Sequence, residues 1–211
     1  MISSLMRPVI FMKPDGRATS LWSLSSNSAT SPVAYQPSLG GASVGDHDLL
    51  RPALAHQGMA LDFWKIAMRP GKPLIHGSLG QTHILGLPGN PVAAYVCALV
   101  FLAPLLRALQ GDPAAAADRT ETVLSGADLP ANKGRRDYMR AQLSTDPQGR
   151  LMATPQPLQD SSLLTELQQS QALLIREPHA PALAAATAAS FGCRGADGAL
   201  RQFDDRGEMR R

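Results

Sequence analysis

The apolar positions change their period along the chain, and these changes divide it into zones. Residues 1–39 hold no sustained period of 2 or 3.6 and turn Ser-rich in their second half, which predicts a segment without packed order. Residues 40–112 alternate apolar runs with glycine turns, the texture of an α/β unit. Within them Asp48–Gln57 predicts a helix with Leu49, Leu50, Ala53 and Leu54 on one side, ended by Gly58. Phe63–Met68 has strand chemistry, with Phe63, Lys65 and Ala67 on one face and Trp64, Ile66 and Met68 on the other. A second strand over His83–Leu87 runs into Pro88-Gly89-Asn90-Pro91, where Asn90 suits an N-cap and Pro91 the first helical position. Val92–Leu109 is apolar nearly all round, which predicts a buried helix, kinked at Pro104 and stopped by Gly111.

Residues 111–118 read as a linker. Residues 119–182 carry short strand-like runs broken by Asn-Lys-Gly, Asp-Pro-Gln-Gly and Pro-Gln-Pro, which predicts a small β domain. The tail, 183–211, is first Ala-rich and then polar and charged. No internal repeat is evident.

Composition narrows the class. With 44% hydrophobic and 18% charged residues the chain is that of a globular protein. A net charge of +3 without a long Lys/Arg run argues against nucleic acid. The longest apolar stretch, Val92–Leu106, contains Pro104 and is short for a membrane span. No uninterrupted apolar run near the start suggests a signal peptide. Cys97 and Cys193 have no CxxC partner, which speaks against a zinc site or a disulfide framework and fits a reducing cytoplasm. Cys97, in an apolar run, reads as a small core residue rather than a nucleophile.

Four segments carry candidate chemistry. Gly40-Gly41-Ala42-Ser43-Val44-Gly45-Asp46-His47-Asp48 can bring backbone N–H groups close to an oxyanion at a helix start. Asp46 and Asp48 can add a magnesium site. The plainer alternative is a Gly-rich loop with Asp46 as a cap and His47 on the surface. In the second segment Lys65, Arg69 and Lys72 place three cations within eight residues, suited to a highly charged anion. Its alternative is a solvated basic strand edge. Leu87-Pro88-Gly89-Asn90-Pro91 joins a strand to a helix N-terminus, where open α/β sheets place ligands, or merely punctuates the two elements. Last, Arg135, Arg136 and Arg140, with Ser161 and Ser162 downstream, can clamp a phosphate or can be ordinary surface charge.

Taken in order, these motifs, with Phe-Trp-Lys-Ile-Ala-Met-Arg-Pro-Gly-Lys-Pro in full, resemble the molybdopterin molybdenumtransferase family, which includes the C-terminal domain of gephyrin. The likeness runs from Gly40 to about Pro181, about two-thirds of the chain. It implies a partial α/β/α domain like that of the molybdopterin adenylyltransferases, followed by a small β-barrel. It also implies insertion of molybdate into adenylylated molybdopterin with release of AMP, aided by Mg2+, in proteins that are homodimeric when intact. By motif, Asp48, Lys65, Arg69 and Lys72 take catalytic roles, with Asp46 and Asp48 as metal ligands. Gly40, Gly41, Ser43, Gly45, Pro88, Gly89, Asn90, Pro91, Arg140 and Ser161 take substrate-binding ones. Arg69 stands where many members have lysine, and Pro37-Ser38-Leu39 stands where the family has an apolar strand and serine. The family's upstream sequence, with its Gly-Asp-Glu motif, has no counterpart. Both ends are therefore expected to be foreign to the family, and the chain to be a C-terminal portion with little or no activity of its own. The alternatives are a non-catalytic anion- or pterin-binding fragment or scaffold, and a molybdopterin adenylyltransferase.

Overall fold

The computed structural model describes residues 10–12, 18–20, 34–39, 50–80, 82–115, 117, 120–160, 164–194 and 200–201. They fall into two compact units. The first comprises Met1–Ala67 and Gly71–Asp118, and the second Met68–Pro70 and Arg119–Arg211.

In the first unit, β1 (Ile10–Met12) and β2 (Ala18–Ser20) form a short antiparallel ladder. The main sheet has β3 (Ala34–Leu39), β4 (Ala60–Lys65), β6 (Pro73–Leu79) and β7 (Thr82–Leu87) in the order β3-β7-β6-β4. β3 runs parallel to β7, and the other pairs are antiparallel. Ala34–Leu39, where the sequence shows no strand period, is thus a sheet strand. Its six residues match Thr82–Leu87 one for one, and this partner lies more than forty residues away, beyond any local pattern.

Helix α1 (Leu50–His56) is closed by Gly58 at φ +86°, with Met59 N donating to Leu54 O at 2.9 Å. Leu54 packs with Met59, Trp64, Ile75, Leu79 and Ile84 on one face of the sheet. The opposite face buries Phe63, Leu74, His76 and Leu85, the other parity of the same strands.

β4 ends at Lys65 instead of continuing to Met68, and its register with β6 shifts twice, between Leu61 and Phe63 and between Phe63 and Lys65. These shifts break the simple alternation: Phe63 is buried while Lys65, of the same parity, is exposed. At the first shift the strands come so close that a Cβ on Gly77 would stand 2.6 Å from Ala60 O.

Helix α2 (Pro91–Leu109) begins as expected, on Asn90 and Pro91. Just before Pro104 it widens into a π-helical stretch, Ala98–Leu102. A proline supplies no N–H and its ring crowds the carbonyl four residues back, so the wider turn is a local accommodation. Val92–Phe101 supplies most of the helix's buried residues, whereas Leu106 and Leu109 are exposed, so only the earlier part is a core helix. By length and hydropathy the helix would be long enough to cross a membrane; 44% of it is buried inside the protein.

The second unit is built on β8 (Glu121–Ser125), β9 (Arg136–Thr145), β10 (Leu151–Pro155), β11 (Ala172–Arg176) and β12 (Ala188–Arg194). β8, β12, β11, β9 and β10 pair in turn, and β10 returns to β8, which closes the ring into a small barrel. A fifth strand therefore comes from the Ala-rich tail, which the sequence reading places outside the barrel. Alanine is a poor signal for a strand, but it fits a narrow barrel whose core is Val123, Leu129, Ala141, Ala153, Ala172, Leu174 and Ala189. α3 (Leu164–Gln169) and β13 (Leu200–Arg201) complete the unit, with β5 (Met68–Arg69) alongside β9. The Asp-Pro-Gln-Gly signal is a β-turn: Asp146 Oδ1 accepts from Gln148 N and Arg150 N, and Gly149 takes φ +78°.

Candidate functional site

The segment Lys65–Pro73 carries the densest charge and departs most from regular strand. Lys65 lies opposite Pro73 in the β4–β6 register, and Ile66 N donates to Lys72 O at 3.0 Å, closing the base of the loop. Lys65 and Lys72 are thereby held as neighbours along the chain edge. Both are exposed, and neither has an ion-pair partner among the described residues. The loop also rests on α2, where Cys97 Sγ stands 3.9 Å from Gly71 O. Burial pushes the Cys97 thiol up to about 12, so it is a packed core residue and not a thiolate nucleophile.

Arg69 behaves differently. It sits in β5, opposite Asp137 of β9, and its Nη2 donates to Asp137 Oδ2. Asp137 is buried, so the Arg69 charge is matched by a desolvated carboxylate within the second unit. The three cations grouped by sequence spacing are therefore distributed: Lys65 and Lys72 belong to the first unit and Arg69 to the second.

The Leu87–Pro91 segment forms the cap of α2. Asn90 Oδ1 accepts from Ala93 N at 3.1 Å and its carbonyl accepts from Ala94 N at 2.8 Å. Pro88 is fully buried, whereas Gly89 and Pro91 are exposed. The loop is thus anchored from below and open above, at the positive end of a 19-residue helix.

In the barrel, Arg140 of β9 is 2% exposed, and its Nη2 donates to Leu158 O at 3.1 Å. Burial pulls its pKa down, opposed by the charges of Glu166 and Asp160. Gln159 clamps the Arg140 backbone: its Oε1 accepts from Arg140 N and its Nε2 donates to Arg140 O, both at 3.0 Å. The segment Gln156–Asp160 is therefore laid against β9 at Arg140. Ser161 lies outside the described residues, as does the whole glycine segment with Gly40, Gly41, Ser43, Gly45, Asp46 and Asp48.

Two clusters escape the sequence reading. Arg51 Cζ and Lys65 Nζ stand 4.0 and 3.9 Å from the centroid of the Trp64 ring. On the other face of the sheet, Phe63, His76 and His83 stack at centroid distances of 5.4 and 5.7 Å. Asp62 Oδ2 lies 2.9 Å from His76 Nδ1, an ion pair only when the imidazole is protonated. His76 is pushed below its ordinary 6.5, chiefly by burial. The near-parallel imidazoles cannot aim in-plane lone pairs at one point, which disfavours a metal between them.

Comparison with known proteins fits both units. Residues 38–108 match the family described as "Probable molybdopterin binding domain", and residues 122–189 match "MoeA C-terminal region (domain IV)". The molybdopterin molybdenumtransferase of Haemophilus influenzae is 33% identical over 138 residues, 65% of this chain and 34% of that protein. The Bacillus subtilis molybdopterin molybdenumtransferase is 33% identical over 143 residues, 68% of this chain and 33% of that protein. A molybdopterin biosynthesis MoeA protein from Pyrococcus horikosii shares the fold, with a TM-score of 0.57 at 19% identity over 78% of this chain and 37% of that one. The chain thus spans about a third of the length of the curated relatives it matches. With a match to the probable molybdopterin binding domain followed by a match to MoeA domain IV, in that order, the chain is similar to the C-terminal part of the molybdopterin molybdenumtransferases.

Proposed function

We propose that the chain serves molybdenum cofactor biosynthesis by handling the oxyanions of molybdate insertion, in which adenylylated molybdopterin and molybdate give molybdenum cofactor and AMP. The observation that carries this reading is the pair Lys65 and Lys72, which have no ion-pair partner among the described residues and are held as neighbours by the Ile66–Lys72 backbone bond within the region that matches the probable molybdopterin binding domain. Molybdate is a dianion and the pyrophosphate link of the other substrate is anionic. Bringing them together requires fixed positive charge, which lowers their mutual repulsion and stabilises charge building on the leaving phosphate. The exposed N-terminal turn of α2 at Gly89 and Pro91 adds a dipole of the same sign. Arg140, a substrate-side residue by motif, is buried in the barrel unit with its Nη2 donating to Leu158 O. No covalent nucleophile is needed, and Cys97 is unsuited to be one.

Asp46 and Asp48 are the carboxylates we assign to a magnesium ion, which when bound would neutralise phosphoryl charge. We further assign the reaction to the cytoplasm and the active assembly to a homodimer, on family grounds alone. The test is release of AMP when the protein is mixed with adenylylated molybdopterin, magnesium and molybdate, with Lys65→Gln and Lys72→Gln as controls. Absent release under conditions where an intact relative works excludes activity of this chain alone, and release unaffected by either substitution defeats the reading.

A second reading is binding of the pterin nucleotide without turnover, supported by the match of residues 38–108 to the model described as a probable molybdopterin binding domain. Calorimetry separates the two, since a binding module gives heat with molybdopterin or AMP but releases no AMP.

A further inference from the structure

We propose that Arg51, Trp64 and Lys65 form a station for a tetrahedral oxyanion, with Arg51 a binding residue beyond those the motifs assign; this rests on the oxyanion-handling function above. The station is built by the strand irregularity. Successive residues of a regular strand point to opposite faces, yet Lys65 Nζ lies 3.9 Å from the ring centroid of its neighbour Trp64. The register shift between Phe63 and Lys65 turns the lysine back over the indole. Arg51 reaches the same ring from α1, with Cζ at 4.0 Å.

Three observations make this a ligand site rather than a decorated surface. First, two cations within 4.0 Å of one centroid are no more than about 8 Å apart, inside a Debye length of about 10 Å at 0.1 M salt, so each feels the other. No ion pair relieves either of them among the described residues, and the carboxylate on the same strand, Asp62, is turned to His76. A bound anion removes that repulsion. Second, the platform is firm: Trp64 packs against the Met59, Ile75 and Ile84 cluster and is partly buried. Third, a guanidinium lying over an aromatic ring keeps its in-plane N–H edge free. With Cζ held 4.0 Å from the ring centroid, the Arg51 fork can still grip two oxygens, and Lys65 adds a point charge. Phosphate esters and molybdate share this chemistry.

The test uses the full chain with Trp22→Phe, which leaves Trp64 as the sole indole. Emission is followed during titration with sodium phosphate, AMP or sodium molybdate at constant ionic strength in chloride. A saturable change is expected, weakened about tenfold or more in Arg51→Gln, the scale of one charge-assisted hydrogen bond. Arg51→Lys, which keeps the charge and loses the fork, should restore only part of it. An unchanged melting temperature shows that each variant is folded. Saturation by AMP and phosphate but not molybdate assigns the station to the nucleotide, and the reverse assigns it to the metal oxyanion; either supports it. No saturation by any of the three, or undiminished affinity in Arg51→Gln, overturns it. Failure here with AMP release intact leaves the insertase reading standing, and anion binding without AMP release leaves the station standing alone.

Discussion

Asn90 fixes the loop between β7 and α2, and replacing it measures how firmly. Asn90→Ala removes the side-chain bond to Ala93 N and leaves the carbonyl bond to Ala94 N in place. Loss of such a cap costs about 0.5–2 kcal/mol. The low end belongs to exposed helices, where water replaces the lost acceptor. Here Ala93 is 5% exposed and its neighbours Val92 and Ala94 are 1% and 6% exposed, so the freed N–H finds little water. An unsatisfied buried donor costs about 1–3 kcal/mol, a figure that overlaps the cap value and does not add to it in full. The expected loss is therefore about 2 kcal/mol. At about 4 °C per kcal/mol for a unit of roughly a hundred residues, the unfolding midpoint falls by about 8 °C. Asn90→Asp keeps the acceptor and sets a negative charge at the positive end of the helix, so its midpoint should stay within about 2 °C of the parent. Thermal unfolding followed by far-ultraviolet circular dichroism reads both. An alanine variant melting with the parent would refute the argument, and so would an aspartate variant melting with the alanine one.

Two further substitutions probe the barrel and the buried histidine. A Cβ on Gly126 would lie 1.9 Å from Thr154 Oγ1, 2.9 Å from its Cβ and 3.0 Å from its Cα. Gly126→Ala should thus destabilise by about 2 kcal/mol or more, and adding Thr154→Ala should restore only part of this because the crowding against the residue 154 backbone remains; full rescue in urea unfolding would contradict the geometry. Burial pushes His76 below 6.5, His83 adds to that lowering, and Asp62 opposes it. The unfolded chain then takes up the proton first, so this contribution to stability is complete above about pH 6.5 and is lost as pH falls from there through the folded value. Urea midpoints should drop between about pH 7.5 and 5.5, and His76→Phe, which keeps a ring against Phe63, should flatten the drop; equal slopes would falsify the assignment.

The features legible in the sequence are those set by local chemistry. Asn90-Pro91 opens a helix because one side chain and one fixed φ suffice, and Gly58 closes α1 because its φ of +86° suits glycine. Asp146 to Gly149 turns the chain for the same kind of reason. What escaped depends on partners far along the chain. β3 is a strand because β7 accepts it, and β12 joins the barrel because β8 and β11 flank it, although neither segment has a strand-like pattern. β5 is the clearest case: Met68-Arg69 looks like the end of β4, yet it pairs with Arg136-Asp137. A hydrophobic period can report that residues alternate, but not which sheet receives them.

The same distinction governs the cations. By spacing, Lys65, Arg69 and Lys72 are equivalent: three positive charges in eight residues. Their availability is a tertiary property. Asp137 is 4% exposed, so an unpaired carboxylate there would bear a desolvation cost of several kcal/mol, and Arg69 is the group that offsets it. Removing Arg69 would expose that cost as lost stability before it altered any affinity. Lys65 and Lys72 carry no such obligation among the described residues, and their charge stays free to meet an anion. Arg51, fourteen positions before Lys65 and outside every motif, enters the same group because α1 sets it over Trp64. On the proposed function, the charge the first unit can offer an anion is therefore set by which cations the fold leaves unmatched among the described residues, and a count of basic residues in the signature segment would include Arg69, which meets Asp137, and omit Arg51.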